Sequence, residues 1–274
     1  MNFSLVIPTR NRAQALRLTL QHLSLCDYPF DDFEVLVVDD GSTDETSAVL
    51  QEWSSKLPLR AFQQDHGGTS RARNRAIQEA RGRHIMFVDD DVLVPPDFLR
   101  RHARLQADHP GHLVRGPVVN VPRPLYPPLP ALARPWRHFS KNYLCTSNAS
   151  IERDLLLKAG LFDASFARWE DAELGVRLKR LGVRRVFENE TFVYHWKPPL
   201  DHQQRVRVAE LDGQAAAQLW KRYPTLRMWM RSGLHRVNRW KNDFLTRLPL
   251  PGPWRRAVEV ERAYLRAGIQ ELRK

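Results

Sequence analysis

The sequence predicts an α/β fold built on a mostly parallel central sheet flanked by helices, with a helical extension at its C-terminal end. Three observations carry this. Short apolar runs alternate with helical patterns through the first 110 residues, giving a β-α-β-α order. Residues 34–38 and 84–88 are near-continuous apolar runs, the kind that parallel sheets bury on both faces. Beyond Pro198-Pro199 the strand signal stops and only helical periodicity remains.

Taken in order, residues 3–7 read as a strand and 12–25 as a helix with Leu16, Leu20 and Leu23 on one face. Residues 34–38 form the second strand. Ser42 and Glu45 have the spacing of a capping box that opens a helix to about Trp53. A weak strand at 59–62, a helix at 69–80 and a buried strand at 84–88 follow. Pro95-Pro96-Asp97 starts the next helix, and 113–119 returns as a strand. Seven prolines between Pro117 and Pro135 preclude regular structure there. Residues 155–160 and 171–181 then read as helices and 191–195 as a short strand. The tail predicts three helices, at 203–222, 225–246 and 254–272.

Composition bounds the function. The chain has 274 residues with ordinary globular proportions, 42% hydrophobic and 27% charged, which excludes wholesale disorder. No apolar run approaches the ~20 residues of a spanning helix, and the N-terminus lacks the pattern of a signal peptide. Two cysteines, Cys26 and Cys145, make no disulfide scaffold and suit a reducing compartment, so a cytoplasmic protein is expected. The net charge of +12 is unevenly spread: residues 1–199 contribute +3 and residues 200–274 contribute +9.

The chemistry-bearing residues gather at predicted strand ends. Val37-Val38 runs into Asp39-Asp40, and Phe87-Val88 into Asp89-Asp90-Asp91. Ligands of open α/β sheets bind outside the carboxyl ends of strands. Three adjacent carboxylates repel one another unless a cation neutralises them, and hard oxygen ligands suit Mg²⁺ or Mn²⁺. Extended backbone would put Asp89 and Asp91 on one side. Gly67-Gly68-Thr69-Ser70-Arg71-Ala72-Arg73 offers a helix N-terminus with two arginines in its first turn, an arrangement that makes sense around an anion. Asp171 heads the apolar stripe Leu174, Leu178 and Leu181, so it points inward or into a cleft, a candidate general base.

These motifs, in this order, resemble family 2 glycosyltransferases. The resemblance runs through Val6-Ile7-Pro8-Thr9-Arg10-Asn11-Arg12, Asp39-Asp40-Gly41-Ser42, the Gly67–Asn74 stretch, Asp89-Asp90-Asp91, Thr146-Ser147-Asn148-Ala149 and Trp169-Glu170-Asp171, over about residues 3–196. It implies a GT-A type, inverting catalytic domain over 1–199, with a nucleotide-sugar donor half at about 1–110 and an acceptor half at about 111–199. Residues 200–274 are then a basic helical extension. By position, Pro8, Thr9 and Asp40 resemble residues lining the nucleoside pocket, Asp40 reading the imide edge of the base. Arg71 resembles the arginine near base and diphosphate. Arg10, Gly68, Asp90 and Glu170 fall within the same motifs and join the expected substrate contacts. Asp89 and Asp91 look like the ends of a metal-binding Asp-x-Asp motif, with Asp91 the direct ligand. Asp171 resembles the catalytic base. His195 stands where some relatives have a further metal ligand, the alternative being a partly buried histidine bonded to backbone. The segment 117–142 matches no part of the family pattern, leaving sugar and acceptor open.

In the tail, Leu226, Met230, Leu234, Val237, Trp240 and Phe244 share one face of the predicted 225–246 helix. Arg227, Arg231, His235 and Arg239 share another. A basic amphipathic helix with tryptophans suits an anionic membrane surface through 221–247, at the inner face of the plasma membrane; packing on the catalytic domain is the alternative, and no nucleic-acid motif accompanies the charge. The leading expectation is therefore a metal-dependent transferase moving a sugar from a nucleotide-sugar donor, UDP-linked, to a glycan or lipid-linked saccharide. The rivals are a sugar-nucleotide nucleotidyltransferase, whose glycine-rich N-terminal loop is absent, and a nucleotide-sugar-binding protein without turnover. No G-x-G-x-x-G follows the first strand, which disfavours a dehydrogenase.

Overall fold

The computed structural model describes residues 1–124 and 142–274. The chain divides into two units, one of residues 1–164 and 170–198 and one of residues 165–169 and 199–274.

The first unit holds a seven-stranded sheet. Its N-terminal part is parallel: β1 (Phe3–Thr9) lies between β2 (Phe33–Asp39) and β4 (His84–Phe87), with β3 (Leu59–Gln63) outside β2. β8 (Ala149–Glu152) runs antiparallel between β4 and β6 (Leu113–Arg115), and β9 (Arg185–Phe187) closes the far edge parallel to β6. The central strands are buried on both faces, as their apolar runs demand. Phe3, Leu5 and Ile7 of β1 pack with Leu16 and Leu20 of α1 (Ala13–Leu23) and with Phe98 of α4 (Phe98–Asp108). Val6 faces the other layer, where Ala72, Ala76 and Ile77 of α3 (Thr69–Glu79) meet Leu174 and Leu178 of α6 (Glu170–Arg180). α2 (Thr46–Trp53) and α5 (Arg153–Lys158) complete the layers. The parallel register pairs Thr9 with Asp39 and Val6 with Phe87, so the loops after β1, β2 and β4 leave from one rim.

Several expectations are corrected. The 113–119 run is two strands in two sheets. Gly116 lies so close to Thr191 that a Cβ would stand 2.1 Å from its carbonyl oxygen. After it the chain enters β7 (Val118–Val121), which pairs with β10 (Val193–Trp196); β10 also pairs with the two-residue β5 (Val92–Leu93). The proline-rich stretch thus begins with a strand at an edge, where Pro117 needs no ladder N–H; residues 125–141 lie outside the described residues. The capping box does not form. Asp44 accepts from Thr46 N (3.1 Å) and Thr46 Oγ1 at the start of α2, while Ser42 Oγ accepts from Asn11 N at 2.9 Å.

The second unit is helical: α7 (His202–Arg222), α8 (Leu226–Ser232), α9 (Arg236–Leu245) and α10 (Gly252–Arg273). α7 opens with a complete capping box between Asp201 and Gln204. It packs closely on α10 at Gly213, where a Cβ would lie 2.1 Å from the Tyr264 carbonyl oxygen. The single helix expected at 225–246 is two, broken at Gly233 (φ +68°), a left-handed C-terminal residue that glycine adopts without strain. Leu234 is buried with Ala216, Ala217 and Leu265, whereas Leu226, Met230, Val237, Trp240 and Phe244 remain exposed. The side chains of Arg227 and Arg231, expected on the basic face, lie outside the described residues. No helix among the described residues is long and apolar enough to cross a membrane.

Candidate active site

The rim residues after β1, β2 and β4 form one hydrogen-bonded set. Pro8 and Thr9 are buried at the end of β1. Thr9 Oγ1 donates to Asp90 Oδ2 at 2.8 Å. Asn11 adopts φ +52° and accepts from Thr43 N at 2.7 Å, tying the loop after β1 to the loop after β2. Asp39 Oδ1 accepts from Ser42 N at 2.9 Å, turning the chain after β2.

Asp40 is buried and its carboxylate is fully engaged. It accepts from Gly67 N (2.8 Å), Gly68 N (2.9 Å), Gln64 Nε2 (2.7 Å) and His66 Nδ1 (2.8 Å). Burial pushes its pKa up, but these donors outweigh it and hold the carboxyl below the ordinary range. Asp40 thereby serves α3 as a remote cap, since Gly68 (φ +89°) supplies no side chain to do so. Arg10 reaches the same turn, its guanidinium 3.2 Å from His66 Nε2. Arg71 is exposed and folds over Gly67, where a Cβ would lie 2.7 Å from Arg71 Cδ. Gly67 is therefore the residue that lets this arginine lie flat across the turn.

The second arginine of that helix is used differently from the expectation of two arginines facing one anion. Residues two apart on a helix point to nearly opposite sides. Arg73 is buried, donating to Asp89 Oδ1 (2.8 Å) and Glu170 Oε1 (2.7 Å). Asp89 also accepts from Ser147 Oγ at 2.6 Å. Asn74 beside it brackets Phe162, donating to its carbonyl and accepting from its N–H, both at 2.8 Å. α3 is thus the hub that ties the Asp89 loop to the start of α6.

The three consecutive aspartates separate by partner. Arg12 reaches Asp90 Oδ1 at 3.0 Å and Asp91 Oδ2 at 2.7 Å. Burial, with the neighbouring carboxylates adding to it, pushes Asp90 up to about 7 despite Arg12. Asp91 is also buried, yet His195 and Arg12 hold its carboxyl below the usual range. His195, on β10, lies with Nε2 3.1 Å from Asp91 Oδ2 and Nδ1 3.0 Å from Asn120 Oδ1. The backbone-bonded alternative for this histidine is not what the geometry has. Asp91 Oδ1 is buried and has no hydrogen-bond partner. A buried carboxylate oxygen without a donor, beside an imidazole flanked by acceptor oxygens, fits a hard divalent cation. Among the described residues no three His, Cys, Asp or Glu side chains are grouped to hold a metal ion; of the expected set, Asp91 and His195 meet, whereas Asp89 turns away to Arg73 and Ser147.

Asp171 lies one residue beyond Glu170, in the first turn of α6, half-buried. Burial, reinforced by the charge of Glu170, raises its carboxyl to about 6, against the pull of Arg73. Its Oδ2 accepts from Asn142 Nδ2 at 3.4 Å. Arg115, fully buried, donates to the Asn142 carbonyl at 2.7 Å, as does Arg185 at 3.0 Å. Sequence reading placed Asp171 and Glu170 together and gave Arg73 an anion-facing role, but assigned none to Arg12, Asn142 or Ser147. Arg12 and Arg73 sit inside motifs already singled out, so only their partners were illegible.

Comparison with known proteins gives the family. Residues 4–153, more than half of the chain, match the model of glycosyl transferase family 2. Among curated proteins, the chain is 30% identical over 227 residues to validoxylamine A glucosyltransferase of Streptomyces hygroscopicus subsp. jinggangensis, covering 69% of this chain and 54% of that protein. It is 35% identical over 111 residues to the poly(ribitol-phosphate) beta-N-acetylglucosaminyltransferase TarS of Staphylococcus aureus, covering 40% of this chain and 19% of TarS. The chain therefore spans between about a fifth and about half the length of these relatives. Among solved structures, the mannosyltransferase PcManGT from Pyrobaculum calidifontis, in complex with GDP-Man and Mn²⁺, superposes with a TM-score of 0.72 at 21% identity, covering 99% of this chain and 87% of that one. TarS 1–349 from S. aureus in complex with UDP gives 0.60 at 21% identity, covering 100% and 89%. The sheet with its single antiparallel insertion is the GT-A fold of those structures. Matched by that family model over more than half its length and folded like these structures, the chain belongs to glycosyl transferase family 2.

Proposed function

We propose that this protein is a metal-dependent, inverting glycosyltransferase that moves a sugar from a nucleotide-sugar donor, UDP-linked, to a glycan or lipid-linked saccharide. The observation that carries the reading is the state of Asp171: a half-buried carboxyl raised to about 6, bonded to Asn142 and next to Glu170, which Arg73 joins to Asp89. A base with that pKa is ionised at neutral pH yet basic enough to take a hydroxyl proton as the bond to the anomeric carbon forms. Asp171 accepts that proton from the acceptor. Pro8, Thr9 and the Asp40–Gly68 turn line the nucleoside side, and Arg71 and Arg10 offer positive charge to the diphosphate. A divalent ion, Mn²⁺ or Mg²⁺, held by Asp91 beside His195, would neutralise the charge that develops on the leaving diphosphate. Arg12 pairs with both Asp90 and Asp91 beside that position. The GDP-Man and Mn²⁺ bound by PcManGT, and the UDP bound by TarS, support a nucleotide-sugar donor and a divalent ion. The exposed apolar and basic residues of the helical unit support an acceptor met at the cytoplasmic face of a membrane.

The test is calorimetric titration with UDP, with and without Mn²⁺. Binding strengthens with Mn²⁺ in the wild type and loses that dependence in Asp91→Ala; metal-independent binding of equal strength would sink the site assignment. A thermal-shift screen of UDP-, GDP- and dTDP-sugars with Mn²⁺ decides the nucleotide, with the largest rise expected for UDP.

A further inference from the structure

The helical unit contains an arginine-lined groove that the catalytic reading does not use. Arg236 and Arg239 of α9 face Arg262, Arg266 and Arg273 of α10 across a groove of about 830 Å³, with Trp240 at its side. One carboxylate, Asp243, shares this lining, and Leu265 and Ile269 form its apolar floor. The acids nearby are already taken: Glu261 by Lys241 at 2.9 Å and Glu271 by Lys274 at 3.0 Å. None of the five guanidiniums is ion-paired to a carboxylate among the described residues, and Arg239 Nε is buried with no hydrogen-bond partner. Guanidiniums crowded this way repel one another unless an anion joins them, and their fork geometry matches phosphate oxygens.

Beside the groove runs an uncovered apolar stripe. Val237 (66% exposed), Trp240 (70%) and Phe244 (52%) follow at helical spacing on α9, and the Trp240 and Phe244 rings stack with centroids 6.0 Å apart. Trp240 belongs to both features, so the cationic groove and the apolar stripe are contiguous. Soluble diphosphate would satisfy the arginines but leave the stripe in water; an anionic bilayer satisfies both. We infer that the α9–α10 face is a docking surface for anionic phospholipid, its groove taking headgroup phosphates while Trp240 and Phe244 enter the interface. This deepens the membrane-face part of the proposed function and stands apart from the catalytic part.

The experiment is co-sedimentation of the full chain with vesicles of phosphatidylglycerol in phosphatidylcholine (about 3:7) and with pure phosphatidylcholine. Expected is binding to the anionic vesicles alone, weakened by salt. It falls at least about tenfold in the double variant Arg239→Glu/Arg266→Glu and in Trp240→Ala/Phe244→Ala. Circular dichroism checks the fold of both, and UDP–Mn²⁺ binding is unchanged in both, which separates a failure here from a failure of the donor site. Equal binding to neutral vesicles, or undiminished binding by both variants, overturns the proposal. So does capture of pyrophosphate or a single-stranded oligonucleotide in the groove without any vesicle binding.

Discussion

Asp171 and Arg73 carry the residue-scale consequences. In the proposed base role Asp171 takes a proton only when ionised, and its carboxyl is raised to about 6, so kcat should fall as pH drops through that value and level off above it. A pH–rate profile flat from 5 to 8 would contradict the base assignment. Asp171→Asn should abolish transfer while leaving UDP binding within about twofold. The same shift has a stability sign. A carboxyl whose folded pKa lies above its unfolded value holds its proton more tightly when folded, so stability falls as pH rises from about 4 to about 6 and stays lower above. Asp171→Asn should therefore raise Tm by a few degrees at pH 7.5 and change it little near pH 4, measured calorimetrically. Arg73→Ala removes the shared partner of Asp89 and Glu170 inside the fold. It should cost about 3 kcal/mol or more by urea denaturation, with Arg73→Lys recovering only part. Asp171 was legible because a carboxylate at the head of an apolar stripe is out of place. Arg73 was not, because nothing in a helix sequence says which of two near-opposite arginines meets water and which meets acids 16 and 97 positions away.

Elements behaved as their patterns required wherever burial was continuous, as in β1, β2 and β4, whose apolar runs leave no other place for them. They departed where backbone proximity decides. Residues 113–119 look like one strand because two apolar pairs, Leu113-Val114 and Val118-Val119, bracket Arg115-Gly116-Pro117. The switch between sheets depends on Gly116 lying against Thr191, and on Asn148 donating to the Pro117 and Thr191 carbonyls at 3.0 and 2.6 Å. Short strands such as β5 and β9 carry too few residues to show a period. The break at Gly233 was hidden for a different reason: the heptad-like spacing continues across it, and only Leu234 turns inward. Gly213→Ala tests the element scale in the helical unit. Its methyl meets the Tyr264 carbonyl, so α7 and α10 must part, and about 1–3 kcal/mol should be lost from that unit's transition, read by calorimetry. A transition unchanged within about 0.3 kcal/mol would show that the two helices slide at no cost.

On the scale of the whole molecule, the charge separates by role. The catalytic unit sets carboxylates against arginines at one rim, and the surplus of positive charge sits in residues 200–274. UDP with Mn²⁺ should therefore raise the melting transition of the first unit and leave that of the helical unit in place, since only a unit that binds ligand gains from it. The strand order has a consequence in time. β8 wedges between β4 and β6, yet it leaves the ribosome about 60 residues after β4, a delay of roughly 3 to 12 s at ordinary elongation rates. Through that interval the outer edge of β4 is an apolar strand with unsatisfied backbone groups. A nascent chain stalled between β4 and β8 is thus the form of this protein most prone to pair with a neighbour on the same message, and the one a ribosome-bound chaperone has most reason to hold.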